Sequence, residues 1–158
     1  MDWLTALGPS LLVVIGGIIS WLLKARTEEL RATEEKLRIE RRKVYEEILE
    51  PYIRIFTDLK GKGVDKALKT IMSYDYRKTA FELNLFGSDE VVRAYNALMQ
   101  HAYKAEASGS QNPLEFMRLW GLLLLEIRKS LGNERTQLDE FDMLRGMIKD
   151  IDELRGSK

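Results

Sequence analysis

The 158 residues suit one domain of ordinary size with an appendage, and 45% hydrophobic with 32% charged side chains is a globular balance, not that of a disordered tail. Lysine plus arginine equals aspartate plus glutamate at 25 each, a zero net charge that argues against a dedicated DNA-binding domain. The absence of cysteine excludes disulfides, thiolate nucleophiles, cysteine-ligated zinc and iron–sulfur clusters, and a single histidine excludes a two-histidine metal site within one chain.

Leu4 to Leu23 is twenty residues without a charge. As a helix this run would extend ~30 Å, the thickness of bilayer hydrocarbon. Trp3 and Trp21 stand at its two ends, Pro9 lies in its first turns, and Lys24 and Arg26 follow it. A cleavable signal peptide would need a basic start and a small-residue cleavage site, and only Asp2 precedes the run. The expectation is a single-pass anchor over residues 1–23. Residues 24–43 hold eight Lys or Arg against five Glu. The positive-inside rule then expects the N-terminus outside a bacterial inner membrane and the C-terminal part in the cytoplasm. The lipid bilayer is thus an expected partner.

Residues 24–43 read as a charged helical stalk. Leu30, Leu37 and Val44 recur every seven residues, but the intervening seam positions are polar, which gives at most a weak inter-subunit contact. Residues 44–158 read as a four- or five-helix bundle, so the fold class is all-α. Val44, Ile48, Tyr52, Ile55 and Leu59 mark its first amphipathic face, with Pro51 expected to kink or split the helix near Glu50. Lys60 to Gly63 reads as a turn. A helix over Val64 to Phe86 is expected to be interrupted near Ser73. Gly87 ends it and Ser88 caps the next helix, whose apolar stripe is Val91, Val92, Tyr95, Leu98, Met99 and Ala102. Residues 107–112 form a loop, and Asn112-Pro113 starts a helix running to Leu131. Its Leu122, Leu123, Leu124 and Leu125 cover the helix circumference and are expected as core or as oligomer contact. Gly132-Asn133 is a C-cap signal. A last helix is expected from about Asp139 to Leu154, with Phe141, Leu144, Ile148 and Ile151 as its seam.

Few constellations could carry chemistry. Arg93 and His101 are the candidate catalytic pair, yet on one helix they would point about 80° apart and lie ~12 Å apart along the axis. They could meet only across a dimer. Asn96 lies five residues before His101 but points about 140° away. The acids Asp139, Glu140, Asp142, Asp150, Asp152 and Glu153 fit no EF-hand or di-iron pattern, and no metal is expected. Lys60-Gly-Lys-Gly63 lacks phosphate-loop spacing. The six tyrosines read as core-edge residues with wet hydroxyls. No cofactor is expected. Gly16 and Ser20, with Gly17 beside them, form a small-xxx-small face suited to close helix contact.

Phe86 to Gln100 (FGSDEVVRAYNALMQ) and Leu122 to Asp152 resemble a broad group of small bacterial proteins with one membrane helix, a charged stalk and a helical cytosolic domain. In layout the chain also resembles the membrane accessory protein of type VI-B CRISPR systems, with its divergent HEPN-like domain. The resemblance implies a membrane-anchored, self-associating accessory or effector protein, plausible in antiviral defence, that assembles as a homo-oligomer. An alternative is a HEPN-like ribonuclease with a composite dimer site of Arg93 and His101, for which RNA would be the substrate. A third is a simple tether recruiting a cytosolic protein partner. DNA is expected under none of them.

Overall fold

The computed structural model describes residues 3–57, 62–110 and 112–156, with side-chain surroundings for 19–57, 65–110 and 112–153. It is all-helical: α1 (Trp3–Thr57), α2 (Lys62–Ile71), α3 (Tyr74–Phe86), α4 (Asp89–Ser108), α5 (Pro113–Ser130) and α6 (Ile151–Gly156), with no strand among the described residues. The chain divides into two compact units, Met1–Ile39 and Glu40–Lys158.

In the first unit, the described side chains belong to α1 from Ile19 onward. Ile19, Trp21, Leu22, Leu23 and Leu30 are exposed. Leu37 and Ile39 are exposed too, and most of the other side chains are charged, with helix-spaced ion pairs such as Lys24–Glu28 and Arg38–Glu35. Pairs this exposed contribute ~0.3–0.5 kcal/mol each. Among the described residues no helix is long and apolar enough to cross a membrane. This overturns the expected inner-membrane placement with its outside N-terminus, and with it the single-pass transmembrane part of the expected fold. Where the side chains of α1 are described, from Ile19 on, the apolar stretch ends at Leu23, and from Lys24 charge recurs on every turn. Of the Leu4–Leu23 run, the side chains up to Ile18, and with them Trp3, Gly16 and Gly17, lie outside the described residues. Ser20, Trp21, Lys24 and Arg26 are exposed to solvent.

The second unit is a helical bundle around one core. Its centre is Val44, Tyr45, Ile48 and Tyr52 of α1, Tyr76 and Leu83 of α3, Val91, Tyr95 and Leu98 of α4, and Leu119, Trp120, Leu123 and Ile127 of α5. Pro51 does not split α1, which runs unbroken to Thr57. The proline ring is fully buried. Packing around it offsets the ~3 kcal/mol that an interior proline costs a helix.

The interruption at Ser73 is present. Its hydroxyl caps α3 by accepting from Tyr76 N at 3.2 Å. Ser88 caps α4 by accepting from Val91 N. Asn112 caps α5 by accepting from Glu115 N at 3.1 Å, with Pro113 in the first turn. Gly109 closes α4 at φ 63°, in the left-handed region that favours glycine. Among the four leucines of α5, Leu123 and Leu125 are buried, and Leu122 and Leu124 pack half-buried against the core of the same chain.

The last expected helix is absent over most of its length. Residues 140–147 and 149–150 form turns, and the helix begins only at Ile151. Asp139 Oδ1 accepts from Phe141 N at 3.0 Å and from Asp142 N at 2.8 Å, while Asp142 Oδ2 accepts from Asp139 N. These reciprocal bonds form a capping box at the start of the turns. The seam nonetheless faces inward: Phe141, Leu144 and Ile151 are buried, and Ile148 packs against them. Gly121 of α5 permits this docking. A Cβ there would stand 1.9 Å from the Glu140 carbonyl oxygen.

Candidate functional site

Three features of the second unit could carry function: an open cleft, a cluster of buried tyrosines and an outward apolar face on α3. The cleft, of about 500 Å³, is lined by Glu47 and Glu50 of α1, Lys66, Lys69 and Thr70 of α2, and Ser73, Asp75, Tyr76 and Thr79 around α3. Its acids are largely committed. The buried Thr79 hydroxyl donates to Glu47 Oε2 at 2.9 Å, with the Asp75 carbonyl at 3.2 Å. Glu50 pairs with Arg54. Among the described residues no group of three acids or histidines could hold a metal ion. Acids and lysines of both signs line the cleft without a nucleophile–base pair, so it has no evident chemistry of its own.

Tyr52, Tyr76 and Tyr95 come from α1, α3 and α4 and meet in the core. The Tyr76 hydroxyl donates to the Ile48 carbonyl at 3.4 Å and the Tyr52 hydroxyl to Met99 Sδ at 3.8 Å. Burial pushes the Tyr52 phenol up to about 12 and raises Tyr76 and Tyr95 as well. Tyr52 also stacks at a tilt on Trp120, with ring centroids 4.4 Å apart. Trp120 Nε1 is buried and has no hydrogen-bond partner among the described residues. These phenols stay neutral and interior, and they build a core instead of a reactive surface. Tyr45 has a further structural role. Its buried hydroxyl accepts from Ser88 N at 3.1 Å and shares a 2.8 Å hydrogen bond with Ser130 Oγ, joining α1, the α4 cap and the end of α5. Arg41 Nε donates to the Phe86 carbonyl at 2.7 Å in the same region.

Arg93 and His101 both lie on α4. Arg93 is exposed and engaged by its neighbours Asp89, at 3.4 Å, and Glu90, at 3.9 Å. His101 is half-buried near Glu115 of α5. The Glu115 carboxyl is held below its usual range by the hydrogen-bonded Arg118 guanidinium, with a smaller pull from His101. The two candidate catalytic side chains are therefore engaged by different neighbours and are not brought together within one chain.

Sequence reasoning passed over the outward face of α3. Tyr74, Phe81 and Leu85 are 80%, 73% and 77% exposed. At ~100° per residue they fall with Lys78 within about 60° of one another, opposite the buried Tyr76, Thr79 and Leu83. The signal was present in the sequence as a helix apolar on two opposed faces, which a search for one amphipathic stripe does not register. On α1, Leu23 and Leu30 are 64% and 63% exposed, and Leu37 is also exposed; the seven-residue spacing continues to Val44, which is buried in the second unit.

Comparison with known proteins gives no match to a family model, a curated sequence or a solved structure. Neither resemblance described above gains support from it.

Proposed function

We propose that this chain is a non-enzymatic accessory protein that works by associating with copies of itself through its helices. The observation that carries the reading is the row Leu23, Leu30 and Leu37, exposed at seven-residue spacing along one continuous helix. Large apolar side chains recurring at that period on a charged helix have the pattern of a seam awaiting a partner helix. The polar positions between them make the seam weak, as suits an association that can be made and undone.

The test is the mass of the purified full chain by light scattering. The expected result is a defined oligomer whose mass falls towards the monomer in the Leu30→Lys, Leu37→Lys double variant. A wild-type monomer across the accessible concentration range would overturn the reading. An oligomer unchanged by the double variant would remove this row as its cause.

A further inference from the structure

We infer that the outward face of α3 is a second homotypic contact, in which α3 pairs in parallel with α3 of another copy. The inference deepens the self-association reading by naming a contact separate from the α1 row. Tyr74, Lys78, Phe81 and Leu85 are spaced four, three and four apart, the alternation of d and a positions in a heptad seam. Arg77 then stands at a g position and Glu82 at the following e position, five residues on. That interval is the one bridged between two parallel helices, so Arg77 of each copy meets Glu82 of the other.

An antiparallel pair would instead bring like flanks together, with the Asp75 and Glu82 side of one helix against the same side of the other. Arg77 makes no side-chain ion pair among the described residues, whereas Glu82 is held only at 3.7 Å by Lys78. Lys78 occupies an a position. A single polar residue there lowers stability and fixes register and subunit number. Its aliphatic stem still covers apolar surface while the ammonium group reaches solvent. The face therefore carries the cation Arg77 on one flank and the anions Asp75 and Glu82 on the other, which makes it complementary to itself in the parallel register. With 13 residues α3 is only ~20 Å long, so the contact is weak on its own.

Because the chain has no cysteine, single cysteines can report the contact without background. Parallel pairing sets Leu85 against its own counterpart. Mild oxidation of the full-length Leu85→Cys variant should therefore give a disulfide-linked dimer, several-fold above the exposed Gln100→Cys control. Adding Arg77→Glu should return the yield to the control level, and adding Glu82→Arg as well should restore it. Absence of a disulfide-linked dimer from the Leu85→Cys variant overturns the proposal, as does a yield indifferent to the charge changes. Crosslinking only between Tyr74→Cys and Leu85→Cys copies when mixed would also overturn it, since that is the antiparallel register. These readouts are separate from the mass measurement: a wild-type oligomer whose Leu85→Cys variant does not crosslink removes the α3 contact and leaves the self-association reading standing.

Discussion

The Tyr52 hydroxyl sits where solvent cannot stabilise its anion, and its titration is linked to stability. Its folded value is raised from the ordinary 10 to about 12. The folded protein therefore keeps a proton that the unfolded chain releases. The contribution is fully present below about pH 10 and is lost as pH rises through about 12. Denaturant unfolding followed between pH 9 and 12 should show a midpoint that falls with increasing pH in the wild type. The fall should be shallower in Tyr52→Phe. Gly121 sets a different constraint at the same scale. A Cβ there would meet backbone, the Glu140 carbonyl, and not a side chain able to swing aside. Gly121→Ala should cost at least the ~1–3 kcal/mol of an overpacked core, read as a lowered urea midpoint. Gly146, which has open space around it, should tolerate alanine far better.

Among the elements, the chain after α5 departs most from its periodicity. The apolar residues from Phe141 to Ile151 are placed as a helix would place them, and Asp139 and Asp142 cap the start of the segment by binding nearby backbone N–H groups, yet it continues as turns. Asp139→Ala removes the acceptor for two of those groups. It should destabilise the protein by ~1–2 kcal/mol, the usual cost of losing a capping side chain. Hydrogen exchange of the Phe141 and Asp142 amides should quicken more than that of α4 amides. If exchange in this segment were unchanged, the aspartate would not be what holds the turns.

For the molecule as a whole, the parts legible in the sequence were those written by short-range rules. Ser88 before an acidic first turn, and Asn112 before Pro113, announced two helix starts that the structure contains. The inward residues of α4 followed from spacing three and four apart. Pro51 was misleading because its cost is local while the burial that offsets it comes from distant helices. The roles of Tyr45 and Gly121 were hidden for the same reason, since their partners are Ser130 and Glu140, far along the chain or on another element. The outward α3 face was hidden because a residue's exposure becomes visible only once every other element has been placed.

The core also imposes an order in time. Val44, Ile48 and Tyr52, near the start of the second unit, are buried in one cluster with Leu119 to Ile127 and with Phe141, Leu144 and Ile151 near its end. A chain emerging from the ribosome can cover the apolar side of α1 first with α3 and α4, but the cluster is complete only some hundred residues later. Nascent chains in that interval present a long amphipathic helix with part of its cover missing, the kind of surface that chaperones bind and that aggregates when crowded. The last pieces of that cover come from the segment with the least regular structure, the turns after α5.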